Sequence, residues 1–341
     1  MLKKIMMILL IISCLLPTAC SGRKYNPEVI LNDFASSPDG EVLACGMNGV
    51  IAMTRDFKNW DYKLIDEDYS FVSVTYFKGG FILLGHDSAN ERKVVCNFDP
   101  ESRQWTTSEY TGYTPKIETA NNRLFAYELR PSVIKMSDDG ITWRDTGFPS
   151  ASYNATMEAE VENGPTCIFY DGSKYIVTGA SNFIATSKNL SEWDFKVESQ
   201  PSSRCSYGIA SNGKTNVIVG DHLSLAYEDV GTDTWVTPSD VGSDISIQDI
   251  ETVEDYYTID INDVASDGRK FVAVGTRGLV LNSEDGREWT YSFIPYANDA
   301  PRINIKKVIW NGNLFACLLE DRLENKCAVY TSPDGIEWTK V

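Results

Sequence analysis

Short apolar runs separated by turn residues recur along the whole chain, and none of them keeps a helical period. In LNDFASSPDGEVLACGMNGVIAMT, from Leu31, and INDVASDGRKFVAVGTRGLVLNS, from Ile261, the order of features is the same. An apolar strand gives way to an Asp-Gly turn, a second apolar strand ends in Gly, and a third runs into a polar turn that closes on Trp. The residues after Trp, DYKLI following Trp60 and TYSFI following Trp289, alternate apolar with polar and predict a fourth strand.

The unit repeats. Its turn is clearest in TRDFKNW (Thr54 to Trp60), SDDGITW (Ser137 to Trp143), SKNLSEW (Ser187 to Trp193), SEDGREW (Ser283 to Trp289) and SPDGIEW (Ser332 to Trp338). Looser copies are FDPESRQW, ending at Trp105, and EDVGTDTW, ending at Trp235, where two extra residues separate the Asp from the Trp. Seven of the eight tryptophans thus mark unit ends, at intervals of 45, 38, 50, 42, 54 and 49 residues. Four strands per unit of this length predict an all-β, seven-bladed β-propeller with four antiparallel strands per blade, from Val29 to Val341.

The shared turn resembles the Asp-box, or BNR repeat, of the sialidase-like superfamily, in a shortened form with Asp and Gly adjacent at Asp139-Gly140, Asp285-Gly286 and Asp334-Gly335. The resemblance implies structural roles. Asp56, Asp139, Asn189, Asp285 and Asp334 would cap the turn between third and fourth strands, and Trp60, Trp143, Trp193, Trp289 and Trp338 would pack between sheets. In that family the box faces away from the ligand side. A sialidase clamps its substrate carboxylate with three arginines, and Arg130, Arg277 and Arg322 are the residues here that could be cast in that role. The chain departs from sialidases in having seven units rather than six and no FRIP-like motif near its start. The expected function is therefore a non-catalytic protein- or glycan-binding module; the alternative is an exported glycoside hydrolase of sialidase-like type.

Residues 1 to 20, MLKKIMMILLIISCLLPTAC, join a Lys pair to an uncharged run from Ile5 to Leu16, which fits an export signal and is too short to span a bilayer. Leu16-Pro17-Thr18-Ala19-Cys20 resembles a bacterial lipobox, with Pro17 off the family pattern. The expectation is a signal over residues 1–19, a lipidated Cys20 with a tether over 20–28, and a protein held to a membrane on its periplasmic or cell-surface side. The alternative is an ordinary signal peptide with Cys20 as a plain thiol.

Composition narrows the partners. With 31 Lys and Arg against 48 Asp and Glu the formal charge is −17, which excludes a nucleic-acid footprint. Two histidines, no CxxC and no nucleotide- or phosphate-binding motif leave no metal or cofactor expected; a monomer is expected. The ligand face should carry the second-to-third-strand loops and the connections between blades. Those loops hold Arg92, Arg130, His222, Arg277 and Arg322. The two long acidic connections, 149–165 and 241–260, add Tyr153, Tyr256 and Tyr257. They read equally as solvated insertions. Cys317 and Cys327 flank a hairpin and are the candidate disulfide; the other internal cysteines sit in apolar strands as small hydrophobes. Asp33 and Asp263, in the matched LND and IND, are expected at the central channel in a shared structural role.

Overall fold

The computed structural model describes residues 29–112, 116–129, 132–154, 159–162, 164–197, 205–237, 259–294, 303–321 and 326–341. They form seven four-stranded antiparallel sheets, each built from one continuous stretch of chain in the order inner, second, third and outer strand. Blade 1 shows the plan, with Leu31–Ser36, Val42–Gly46, Val50–Thr54 and Asp61–Leu64 paired neighbour to neighbour. The inner strands of blades 2 to 7 are Tyr69–Phe77, Lys116–Ala120, Pro165–Tyr170, Ser206–Ser211, Ile261–Ser266 and Ile303–Trp310. The protein is the seven-bladed, all-β propeller that the repeat predicts.

Second strands such as Val42–Gly46, Tyr175–Gly179 and Phe271–Gly275 are buried at every residue. A blade is covered on both faces by its neighbours, so its middle strands read as continuous apolar runs, while outer strands such as Asp61–Leu64 stay partly exposed. Seven separate cores result, one between each pair of adjacent blades. Each holds one repeat-end tryptophan, supplied by the blade that follows: Trp60, Trp105, Trp143, Trp193, Trp235, Trp289 and Trp338.

The turns before these tryptophans share one hydrogen-bond scheme. The first hydroxyl accepts the N–H three residues on, at 2.8–2.9 Å in Thr54, Ser137, Ser187, Ser283 and Ser332. The Asp or Asn side-chain oxygen two residues after the hydroxyl takes two further N–H groups, as Asp139 does from Ile141 at 2.8 Å and Thr142 at 2.7 Å. Asn189 makes the same pair at 3.0 Å with an amide oxygen. The residue donating its N–H to the hydroxyl has a left-handed φ: 78° at Gly140 and Gly335, but also 58° at Phe57 and 67° at Leu190. Phe57 and Leu190 bury their side chains completely or nearly so, which offsets the roughly 1 kcal/mol that a left-handed non-glycine residue costs.

Closure of the ring needs no exchanged strand among the described residues. Blade 7 takes its outer strand, Thr339–Lys340, from the C-terminal end, and Val341 donates its N–H to Val329 O at 3.1 Å. The core between blades 7 and 1 joins Leu318, Val329 and Cys327 to Leu31, Phe34 and Trp60, and Val29 and Ile30 pack against it. One sequence expectation is corrected here. Cys317 lies opposite Tyr330 and Cys327 opposite Glu320, so the two thiols are out of register; Cys317 faces the core toward blade 6 and Cys327 the core toward blade 1. Both are free, as are Cys45, Cys96, Cys167 and Cys205. Within the acidic connection between blades 3 and 4, Ala151–Asn154 pairs with Ala159–Glu162 as a hairpin that the sequence pattern did not reveal.

Candidate functional site: a ring of bulge residues at the channel mouth

Inner strands begin at the end of the disc that also carries the second-to-third-strand loops, because antiparallel strands return there. Near that end, six of the seven inner strands carry a register shift. It falls between Leu31 and Asp33, Phe71 and Ser73, Pro165 and Cys167, Ser206 and Gly208, Ile261 and Asp263, and Ile305 and Lys307. A bulge adds one residue and re-aims its side chain. The extra residues are Asn32, Val72, Thr166, Tyr207, Asn262 and Lys306, and all six line one cavity of about 310 Å³ at the channel mouth. Below it a wider cavity of about 550 Å³ continues along the channel.

Three of the six tie the ring together. Asn32 donates to Phe71 O at 2.8 Å, Asn262 to Ile305 O at 2.8 Å, and Thr166 Oγ1 to Ser206 O. In each case the acceptor is the carbonyl just before the next blade's bulge. The residue after the bulge often completes the tie. Asp33 Oδ2 accepts Val74 N–H and Asp263 Oδ2 accepts Val308 N–H, both at 3.0 Å, so LND and IND make the same two-point bridge to the following blade. Ser73 Oγ accepts Ile117 N–H at 3.2 Å, and Glu118 Oε2 accepts Ile168 N–H at 3.0 Å, extending the ties through blades 2 to 4.

Val72, Tyr207 and Lys306 make no such tie. Val72 is 40% exposed. Tyr207 has no hydroxyl partner among the described residues; burial, then the nearby Asp221 carboxylate, pushes its phenol up to about 12, so it remains an O–H donor. Lys306 pairs within its own blade, 3.1 Å from Glu320.

A charged belt separates the two cavities, with Asp33, Lys116, Asp263 and Lys307 lining both. Lys116 pairs with Glu118, whose carboxylate also accepts the Tyr127 hydroxyl. Burial acts to raise the Glu118 carboxyl, but Lys116 and Lys307 outweigh it and hold it below the usual range. Burial likewise pulls Lys307 down, and Asp263 with Asp33 more than restores it. Asp33 differs: burial dominates and its pKa is raised. The carboxylates are thus spent largely on backbone N–H groups. Lys307 is only partly spent: its ammonium pairs with Asp263 Oδ2 at 3.6 Å, beyond hydrogen-bond length, and donates no hydrogen bond among the described residues.

The residues singled out from the sequence meet this site only in part. Asp33 and Asp263 line the channel and brace it. His222 and Arg277 occupy the same place in successive second-to-third-strand loops, with φ of 51° and 60°, and their N–H groups bond to Asp260 Oδ1 at 3.1 Å and Ile303 O at 2.6 Å. Arg92 is engaged with Asp87 at 2.9 Å. Tyr153 lies in the inter-blade hairpin, opposite Glu160. Arg130, Arg322, Tyr256, Tyr257 and Cys20 lie outside the described residues, so no arginine triad is assembled among those described. Among the described residues no group of three or more His, Cys, Asp and Glu is placed to hold a metal. The residues missed were the six bulge residues, Asn32, Val72, Thr166, Tyr207, Asn262 and Lys306, together with Lys307. Their signal is a slip in alternation, two successive channel-facing residues between buried apolar ones, as in Leu31-Asn32-Asp33-Phe34.

No family model and no curated protein matches the sequence. Solved structures do match its fold. A structure of YCF48 bound to D1 peptide superposes with a TM-score of 0.59 at 14% identity, covering 93% of this chain and 96% of that one. YCF48 from Cyanidioschyzon merolae gives 0.61 at 16% identity, over 90% and 97%. The WD40 propeller domain of Doa1 gives 0.59 at 11%, over 92% and 96%.

Proposed function

We propose that this protein is a non-catalytic binding module that takes an extended protein segment at the channel mouth. The observation that carries the reading is the bulge ring. One backbone irregularity, repeated in six blades, delivers six side chains of differing chemistry to one opening, and half of them have no role in holding the blades together. The carboxylates below them, Asp33, Glu118 and Asp263, are engaged in ties between blades, an arrangement that serves rigidity rather than turnover. A propeller of the same outline, YCF48, has been solved with a peptide bound, which is consistent with this use of the fold. We read the hydroxyl-and-carboxylate turns as shortened Asp-boxes, structural here and on the far side of the disc.

We further propose that the module works outside the cytoplasm, its signal removed before Cys20 and its Cys20 acylated, so that residues 20–28 tether the propeller to a membrane. Two experiments test these readings. Purified residues 20–341 incubated with a peptide array and a glycan array should retain peptides; glycan hydrolysis would overturn the non-catalytic reading. Cys20→Ser should move the protein from the membrane to the soluble fraction, and unchanged retention would remove the anchor.

A further inference from the structure

We infer that the mouth selects a peptide carrying a single carboxylate beside an aliphatic side chain, read by Lys306, Lys307, Tyr207 and Val72. This rests on the binding reading above and assigns its chemistry. Of the six bulge residues, Asn32, Thr166 and Asn262 spend their donors on the neighbouring blade. The remaining three stand on blades 2, 5 and 7 and present one apolar surface, one phenolic donor and one ammonium. Lys307 follows Lys306 directly and lines the same cavity; its ammonium pairs with Asp263 but donates no hydrogen bond among the described residues. A carboxylate is the acceptor that matches two lysines and a phenol lining one cavity, even with Lys306 paired to Glu320 and Lys307 to Asp263.

Only one carboxylate suits the site. Asp33, Glu118 and Asp263 line the belt below, and the whole chain carries −17, so further negative charge is opposed both locally and at long range. Peptide is favoured over an acidic sugar because sugars are held by stacking on broad aromatic faces. The seven repeat-end tryptophans are all committed to the inter-blade cores. The most exposed large side chain of the bulge ring is an aliphatic one, Val72.

The test is a positional-scanning array of fluorescein-labelled decapeptides, read by anisotropy against residues 20–341, with oligosaccharides of uronic acids as a parallel arm. Wells fixed as Asp or Glu should bind about tenfold more tightly than wells fixed as Asn or Gln, the worth of one charge-assisted hydrogen bond. An aliphatic residue should be preferred at an adjacent position, and poly-acidic peptides should lose affinity. Lys306→Gln with Lys307→Gln should abolish the carboxylate preference. Because Lys307 also touches the belt, Val72→Asp is the second variant; it alters an exposed position and should repel the same peptides at unchanged melting temperature. Peptides captured with no preference for acid over amide would overturn this inference and leave the binding reading intact. Capture of no peptide would overturn both, and selective capture of the uronates would replace the peptide by a glycan.

Discussion

The two ends of the disc use repetition in opposite ways. At the turn end, a Ser or Thr, an Asp or Asn and a Trp recur in five blades; the hydroxyl and the Asp or Asn oxygen accept the same backbone N–H groups each time, while the indole N–H bonds back to the turn carbonyl at Trp60, Trp289 and Trp338. Where blade 5 departs, with its two extra residues, the loss is made good from next door: Lys174 of blade 4 pairs with Glu228 at 2.6 Å and with Asp233 of the irregular turn. At the channel end the bulge recurs, but the residue on it changes from Asn to Val, Thr, Tyr and Lys. Constant geometry with constant chemistry builds the ring. Constant geometry with varied chemistry is what a recognition surface requires, since a rigid frame can then carry differing side chains at no cost in fold.

The contrast is open to direct attack, beginning where the effect should be largest. Trp60→Ala removes a side chain that is 1% exposed from the core that closes blade 7 onto blade 1. It should cost about 4 kcal/mol in urea unfolding. Lys174→Met would leave Glu228, fully buried, without its cation and should cost about 3 kcal/mol. A change below 1 kcal/mol would show that the irregular turn needs no compensation.

At the channel end, Asp263→Ala strips Val308 N–H of its acceptor and should cost about 2 kcal/mol, whereas Tyr207→Phe should leave unfolding unchanged within about 0.5 kcal/mol. Equal losses would erase the division between bracing residues and the residues proposed for recognition.

Acid separates the turns from one another by a smaller effect. Backbone N–H groups hold Asp139 and Asp334 below the usual carboxylate range. In Asp285 burial opposes the same shift, but the N–H groups of Arg287 and Glu288, with the Ser283 hydroxyl, lower it on balance. A carboxyl whose folded pKa lies below its unfolded value adds stability above about pH 4 that is lost as pH falls through the folded value. The triple variant Asp139→Asn, Asp285→Asn, Asp334→Asn should therefore melt below the parent at pH 7, where the charged caps still contribute, and fall less steeply between pH 4 and pH 2, so that the two curves converge in acid. Asn189 already serves its turn as an amide, so Asn189→Asp should steepen the fall. Asp33 runs the other way: its raised pKa means that deprotonation weakens the fold, so Asp33→Asn should relieve a loss that grows as pH rises.

Blade number, strand number and the position of each turn were legible in the sequence because they depend on local chemistry. Side-chain caps need a fixed spacing of two and three residues, and a middle strand covered on both faces must be apolar throughout, so SPDGIEW and FVAVG announce their places. LND and IND were legible as a pair for the same reason, a repeated motif at a repeated position. The partners of Asp33 and Asp263 were not, since Val74 and Val308 lie more than 40 residues away and meet them only when the ring closes. The cysteine pairing failed on the same ground, because the faces of Cys317 and Cys327 follow from register rather than proximity in the chain. Above all, a bulge shifts alternation by one residue, and one residue decides whether Val72, Tyr207 and Lys306 point into a core or into the mouth. Sequence alone determined which pieces repeat; the tertiary structure decided where the repeat lets its side chains differ, because that depends on seven strands converging around one axis.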